Sequence, residues 1–480
     1  MSLARKAGIF TLSRAVTILA QLMGVVILTH FLSAADAGIV FFLLTIYGTA
    51  QTFSQLGLPD SVFYFLEKFP PASRKSILLL VGRSLLWLSL AGAVVMLAIA
   101  WAGGSREGFG EVRLLIWTMM GLLIFELPSL PLPNILIALD RAKGAAWLNL
   151  FIGFTQFLAV TLPLLLPDPV AGITWGLLLY GVLRLLVSIF IFLRLFKNET
   201  TEPLPPGILR ELFMYSIPLS LAQLFWSLNR QVDKYVVQWF LPITVYAVYN
   251  AGAYELPVIP TIAYSVASVM MPQLVGHYLR NEKEPLLELW YKSIRKITVI
   301  VLPLVMVFIV AAEEFIALLF PESYADAVIP FRIYTLILLQ RVASYSNMQK
   351  ALGSTREITL SAIYLFAINT VLSVVLVHWL GIAGPPLASL IANTFTWWYA
   401  LDRIRRLLHI RFSAVFPFAF YGKALGVAVL ATLPAFILKC QIEMSAAVGF
   451  MILTMVYLLT YLVLARATGI IHLKSTIRWN

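Results

Sequence analysis

Long apolar stretches alternate with short polar segments along almost the whole chain. They fall near residues 8–32, 37–66, 76–102, 111–139, 144–166, 172–196, 209–241, 244–276, 286–312, 326–349, 357–380, 384–401, 417–438 and 444–465. Each is long enough to cross roughly 30 Å of hydrocarbon, which takes about 20 helical residues. The pattern predicts an all-α polytopic membrane protein with about 14 transmembrane helices. Several stretches exceed the required length and contain Gly or Pro, which predicts tilting and local unwinding instead of straight rods. Composition agrees: 60% hydrophobic residues, a mean hydropathy of +0.89 and 12% charged residues are far from the usage of soluble domains.

The polar segments alternate in charge. Counted from an inner N-terminus, the inward segments hold Arg5 and Lys6; Lys68, Arg74 and Lys75; Arg141 and Lys143; Arg194, Lys197 and Arg210. The later ones hold Arg280, Lys283, Lys292, Arg295 and Lys296; Lys350 and Arg356; Arg403, Arg405, Arg406, Arg411 and Lys423; Arg466, Lys474 and Arg478. These are 25 of the 35 basic residues, whereas the opposite side has Arg106, Arg113 and Lys439. The positive-inside rule then puts both termini in the cytoplasm, and an odd number of spans would spoil the pattern.

A net charge of +12 raises the question of nucleic acid, but the cations are spread over short loops and form no groove or aromatic platform. Anionic lipid headgroups account for them better, so membrane lipids are expected partners and nucleic acid is not. The first apolar segment is long, contains Arg14 and lacks a small-residue cleavage pattern, so it is expected to stay as a transmembrane helix. A single cysteine, Cys440, excludes an internal disulfide and a multi-cysteine metal site. No cofactor or metal is expected.

An internal repeat divides the chain. Phe31-Leu-Ser-Ala-Ala-Asp-Ala-Gly-Ile-Val40 returns at an offset of 209 as Phe240-Leu-Pro-Ile-Thr-Val-Tyr-Ala-Val-Tyr249, in the turn between the first two spans of each half. Ala138-Leu139-Asp140-Arg141-Ala142-Lys143 returns at 213 as Ala351-Leu352-Gly353-Ser354-Thr355-Arg356, each just before a helix. The expected organisation is an N-terminal six-helix bundle (1–197), a Pro-rich cytoplasmic linker (198–208), a second six-helix bundle (209–411) and two additional helices with a cytoplasmic tail (412–480). Six is even, so the repeat is parallel, and a substrate is expected in the cleft between the bundles.

Several local sequences, Arg14-Ala-Val-Thr-Ile-Leu-Ala-Gln-Leu, Gly57-Leu-Pro-Asp60 and Val232-Asp233-Lys234-Tyr-Val-Val-Gln-Trp-Phe-Leu241 followed by Tyr246-Ala-Val-Tyr-Asn250, carry a family likeness. Together with the six-plus-six repeat, the chain resembles the polysaccharide repeat-unit flippases, the O-antigen flippases among them. These lie within the exporter superfamily that also holds multidrug-and-toxin extruders and lipid II flippases. The resemblance covers most of the chain, although its motifs are diffuse. It implies a flippase, not an enzyme, that moves undecaprenyl-pyrophosphate-linked oligosaccharide across a bacterial or archaeal cytoplasmic membrane for cell-surface polysaccharide biosynthesis. The implied protein partners are a polysaccharide polymerase and assembly proteins.

Ionisable groups within spans usually face a bundle interior or aqueous cavity. Here they are Arg14, Arg83, Arg184, Arg230, Lys234, Arg332 and Arg341 against Asp60, Glu126, Asp233 and Glu255. The cationic excess suits pyrophosphate, and the planar fork of arginine suits phosphate oxygens. Arg184, Arg230 and Arg341 lie about 11 to 15 residues from an outer helix end, roughly 16 to 22 Å at helical rise. The candidate substrate contacts are therefore Arg230 and Arg341, then Arg14 and Arg184. Glu126, Asp233, Lys234 and Glu255 are candidates for ion pairing or coupling in the cavity. Arg230 precedes Pro242 by 12 residues and Glu255 follows it by 13, so on an antiparallel hairpin the two are expected at nearly the same depth.

Structural alternatives stand beside each reading. Arg83 is expected to snorkel to headgroups, Arg14 divides between headgroup and substrate, and Arg332 is interfacial. Arg230 and Arg341 have ion pairs with Glu126, Asp233 or Glu255 as their alternative. His30 reads as a polar cap ahead of a proton-coupling group. Pro128, Pro131 and Pro133 interrupt the fourth span after Glu126, either as a hinge or as a static kink, and Pro257 and Pro260 do the same beside Tyr254 and Glu255. Tyr249, Tyr254, Trp226, Trp397 and Trp398 divide between sugar stacking and interfacial anchoring. A multidrug cation antiporter would need a carboxylate site, for which the first span offers none but Glu126 exists. A membrane glycosyltransferase or polymerase would need acid or base groups near an interface, usually on a larger outer loop than that near 313–326.

Overall fold

The computed structural model describes residues 20–104, 106, 109–197, 199, 201, 203–253, 270–271 and 273–471. Among them all regular structure is helical. In order the helices are α1 (Ala20–Phe31), α2 (Ala34–Gln55), α3 (Leu58–Lys68), α4 (Pro71–Ala102), α5 (Phe109–Glu126), α6 (Leu132–Ala138), α7 (Ala142–Thr161), α8 (Pro169–Leu195), α9 (Ile208–Phe240) and α10 (Ile243–Gly252). There follow α11 (residues 273–279), α12 (Lys283–Val310), α13 (Ala312–Leu319), α14 (Val328–Ile337), α15 (Tyr345–Ala351), α16 (Thr355–Leu380), α17 (Gly384–Leu408), α18 (Phe418–Leu430), α19 (Thr432–Gln441) and α20 (Ala446–Ala467).

Ten stretches among the described residues are long and apolar enough to cross a membrane. One of them, Arg356–Leu408, is a pair of helices, α16 and α17, that turn about Gly381 at φ 54° and pack along their length. The protein is thus an all-α, multi-pass membrane protein. Its surface has the inverted character of a lipid-solvated chain: Trp379, Leu114 and Trp147 are 84%, 78% and 73% exposed. Helix α9 is also long and carries Arg210, Glu211, Arg230, Asp233 and Lys234. The greater part of the expected 244–276 span lies outside the described residues.

Internal contacts divide the chain into two compact units, Met1–Ala247 and Val248–Asn480, the boundary falling within α10. In the first unit α2, α4, α5 and α8 pack around buried Phe42, Ile46, Phe109 and Met119. Close approach is possible where side chains are absent: a Cβ at Gly176 would strike the Ala159 carbonyl of α7, and one at Gly38 would strike that of Ile243. In the second unit one apolar cluster joins α12 to α18 and α20 through Trp290, Val301, Ala428 and Tyr457. Within the α16–α17 pair, fully buried Asn369 accepts hydrogen bonds from Ser373 and Ser389, both 3.2 Å.

Both repeated sequences have repeated backbones. Leu32 N donates to Leu28 O at 2.9 Å and Ala37 N to Ser33 O at 2.9 Å; Leu241 N donates to Val237 O at 2.9 Å and Tyr246 N to Pro242 O at 3.0 Å. In the second pair, Arg141 N donates to Leu136 O at 2.7 Å and Ser354 N to Gln349 O at 2.9 Å. The residues before them, Asp140 and Gly353, have φ of 59° and 72°. A helix therefore ends in the same left-handed turn in both places.

Candidate functional site

Three prolines decide where the third long stretch of the first unit breaks. Pro128, Pro131 and Pro133 cannot donate backbone hydrogen bonds, and α5 gives way after Glu126 to a single 3₁₀ turn, Leu127–Ser129, before α6 resumes. Ser129 Oγ donates to the Glu126 carbonyl at 2.6 Å, filling part of the deficit. The Glu126 side chain is thereby left at the end of a helix in the bundle interior, 7% exposed.

Arg184, near the middle of α8, meets it there. Its Nη1 forms a buried ion pair with Glu126 Oε1 and donates to Tyr180 Oη at 2.9 Å, while Tyr47 Oη of α2 donates to Glu126 Oε2. Gln51 Nε2 donates to Tyr47 Oη at 2.8 Å. Arg184 is 7% exposed, and its Nε is buried without a hydrogen-bond partner among the described residues. Two opposite charges at this depth cancel formally, and the tyrosines supply the hydrogen bonds that make their desolvation tolerable. Tyr47, Gln51 and Tyr180 were not singled out from sequence. Their signal is spacing: Tyr47 with Gln51 and Tyr180 with Arg184 are i, i+4 pairs on single helix faces.

Sequence depth alone put Arg184 among the candidate substrate contacts and Glu126 among the pairing groups, and the fold brings these two together. On α9, Arg230 is exposed, Lys234 is partly buried and Asp233 is 3% exposed, so one turn carries all three charges. Arg341 is partly buried and directly follows a 3₁₀ turn, Leu338–Gln340, that interrupts the stretch Glu322–Ala351. Tyr421 Oη donates to the Leu339 carbonyl at 2.9 Å, and Gln340 Nε2 donates to Thr394 Oγ1 at 2.7 Å. Irregular backbone at membrane depth needs partners such as Tyr421. Arg14 and Glu255, with Tyr254, Pro257 and Pro260, lie outside the described residues.

Asp60, Arg332 and His30 have local partners. Asn134 Nδ2 of α6 donates to Asp60 Oδ1 at 3.0 Å and to the Pro59 carbonyl at 2.8 Å, linking two proline-marked segments. Arg332 Nη2 lies 2.9 Å from Glu313 Oε1, His30 Nδ1 lies 2.8 Å from the Val26 carbonyl, and Arg83 is exposed. Of the aromatic candidates, Tyr249 is fully buried and shares a 2.7 Å hydrogen bond with Tyr334, whereas Trp398 stacks on Phe412 at 5.1 Å between centroids. Among the described residues no group of three or more His, Cys, Asp or Glu is placed to hold a metal ion.

Helix α2 meets α9 and α10 through hydroxyl groups. Thr45 shares a 2.7 Å hydrogen bond with Tyr246, Tyr235 donates to Thr49 at 2.9 Å, and Thr52 shares one of 2.9 Å with Ser227. Farther along, Tyr64 of α3 stacks on Tyr215 at 4.4 Å, and Lys68 forms an ion pair with Glu211.

Similar folds are known. The chain superposes on the lipid II flippase MurJ, in an inward closed conformation, with a TM-score of 0.74 at 16% identity, covering 98% of this chain and 99% of that one. An inward-facing multidrug resistance MATE transporter of the MOP superfamily gives 0.60 at 17% identity over 82% of this chain and 95% of that one. A MOP superfamily transporter from Pyrococcus furiosus gives 0.52 at 15% identity over 84% and 95%. These identities establish a common fold. No curated protein matches the sequence. Residues 3–276, more than half of the chain, match the family model described as polysaccharide biosynthesis protein. With that match the chain belongs to the polysaccharide biosynthesis protein family.

Proposed function

We propose that the protein is a flippase that carries polyprenyl-pyrophosphate-linked oligosaccharide units from the inner to the outer leaflet by alternating access. The observation that carries this reading is the family match over residues 3–276 on a fold that, across 98% of the chain, is that of a lipid II flippase. In this reading both termini are cytoplasmic, as the distribution of Lys and Arg between loops requires. Two six-helix bundles, 1–197 and 209–411, rock about a cationic cleft while the prenyl tail stays in lipid.

Arg230 and Arg341 are assigned to the pyrophosphate, with Arg14 beside them. Arg230 is exposed on its helix, and Arg341 stands at a helix break, the kind of position where membrane carriers expose polar groups to substrate. Arg184 is assigned a different task, because Glu126 and Tyr180 already occupy its Nη1. It holds the α5–α6 break against α8, and any pyrophosphate contact must first displace Glu126. Glu255 is assigned to Arg230 in the empty carrier, exchanging it for pyrophosphate when substrate enters. A cation antiporter would rest on an available carboxylate, and the buried Glu126 is held by an arginine and a tyrosine.

The test is the leaflet distribution of substrate. Deleting the gene should leave lipid-linked oligosaccharide accumulating on the cytoplasmic leaflet, and purified protein in vesicles should restore its exposure to an added lectin. Normal outer-leaflet delivery in the deletion strain, with vesicles inactive, would refute the assignment.

A further inference from the structure

The second unit has a groove of about 870 Å³ at the end of α12 opposite Val310. One wall is a stripe of α12 that contains Glu288, Lys292, Arg295 and Lys296; Phe420 of α18 and Ile470, just past α20, complete it. The walls are fixed by bonds that the groove itself does not use. Trp290 Nε1 donates to the Val415 carbonyl at 3.0 Å, Lys423 Nζ donates to the Thr468 carbonyl at 2.7 Å, and Tyr461 Oη closes the deep end on the Val299 carbonyl at 3.2 Å. The Arg295 guanidinium lies 5.6 Å from the Phe420 ring centroid, which turns it along the groove.

Depth puts these cations at one edge of the hydrocarbon. Lys296, Arg295 and Lys292 precede Val310 by 14, 15 and 18 residues, which is about 21 to 27 Å at helical rise. The acidic residues Glu313 and Glu314 mark the far boundary immediately beyond α12. A hydrocarbon layer of about 30 Å measured from Val310 therefore ends within about 3 to 9 Å of them, in keeping with their place among the inward polar segments. Lysine and arginine on a smooth helix would snorkel outward from that depth. Here Arg295 is held on Phe420 inside the groove.

We infer that this groove binds the phosphate of an anionic phospholipid, with Lys292, Arg295 and Lys296 as its contacts. A phosphodiester fits because it brings its own acyl chains, which lie against the lipid-exposed side of α20, where Leu459, Leu462 and Val463 are 58%, 54% and 67% exposed. Glu284 and Glu288 also line the groove, toward the start of α12, and disfavour a multivalent soluble anion there. The site is separate from the transport reading and does not depend on it.

The probe is phosphatidylglycerol, compared with phosphatidylcholine, added to the purified full-length protein in detergent and read by thermal unfolding. Phosphatidylglycerol should raise Tm more than phosphatidylcholine. Each interfacial cation is worth about fivefold in lipid binding, so the triple variant K292Q/R295Q/K296Q should need at least about tenfold more phosphatidylglycerol for the same rise. A control with the same charge removed elsewhere, R210Q/K350Q/R356Q, should keep the wild-type response. Equal loss in both triples overturns the site, and equal protection by inorganic phosphate or pyrophosphate overturns its assignment to a lipid. Should the triple variant fail to fold, Arg295→Gln is read by association of spin-labelled phosphatidylglycerol in vesicles, where unchanged selectivity over phosphatidylcholine overturns the proposal.

Discussion

Asp140 and Gly353, 213 positions apart, occupy the same left-handed conformation in the same turn, with φ of 59° and 72°. The turn follows a broken helix in both units, and the next residue, Arg141 or Ser354, donates its amide to a carbonyl five residues earlier. Glycine meets the torsion without strain, and aspartate is among the few residues that tolerate it. The repeat is thus preserved in backbone angles at a position where the side chains share nothing. Gly353→Val should lower stability by about 1 to 2 kcal/mol and Gly353→Asn by less, measured as thermal unfolding in detergent. Equal tolerance of both would show that the turn is not held as described.

The Glu126–Arg184 pair gives a second expectation. Removing one partner strands a buried charge, so Glu126→Ala or Arg184→Ala should each cost about 3 to 5 kcal/mol, seen as loss of folded protein in the membrane. The double substitution Glu126→Leu, Arg184→Met should be milder than either. Strictly additive losses in this cycle would contradict the pairing.

Substrate binding is tested apart from folding. Arg230→Ala and Arg341→Ala should abolish export at normal membrane abundance, whereas Arg83→Lys should be tolerated. Arg230→Lys keeps the charge and loses the bidentate fork, so it should retain only part of the activity. A fall in protein level equal to the fall in export would assign these arginines to structure.

Orientation is read by labelling. In a background with Cys440 replaced, cysteines at Asp168 and Ser323 should react with an impermeant thiol reagent from outside, and one at Asn281 should not. All three positions are exposed, so accessibility to the reagent depends on the side of the membrane. Reversed labelling would reverse the direction of transport.

One loop should respond to acid. Glu282 accepts from Arg280 Nε and Nη2 at 2.9 and 3.0 Å and lies 2.6 Å from His277 Nδ1. These hydrogen bonds, those of Arg280 first, hold its carboxyl at about 2, below the ordinary 4.5. A depressed value means that its stabilisation is complete above about 4.5 and disappears as pH falls toward 2. The Tm difference between wild type and Glu282→Gln should therefore be constant from neutrality to mild acid and shrink below it. A difference that grows on acidification would contradict the sign.

Much of the architecture was legible because a bilayer demands length and apolarity, and both are linear properties of sequence. The break after Glu126 was legible from three prolines. The break before Arg341 was not, because Leu338–Ser344 contains neither Pro nor Gly, and the hydroxyl that meets its Leu339 carbonyl, that of Tyr421, comes from a distant helix. Azimuth was not legible by counting residues. That is why Arg184 was grouped with the substrate arginines when its side chain faces Glu126. Only packing decides which way a helix face points.

Where α2 meets its neighbours, the hydroxyls of Thr45, Thr49 and Thr52 bind hydroxyls of Tyr246, Tyr235 and Ser227. Each such contact contributes about 0.5 to 1.5 kcal/mol net, because water offers an equivalent partner to both sides. An interlocked leucine seam resists the first ångström of separation most, since cavities open before water can fill them. A hydroxyl seam has no such threshold. It exchanges partners one rung at a time as water enters, and it re-forms without side chains having to find their sockets again.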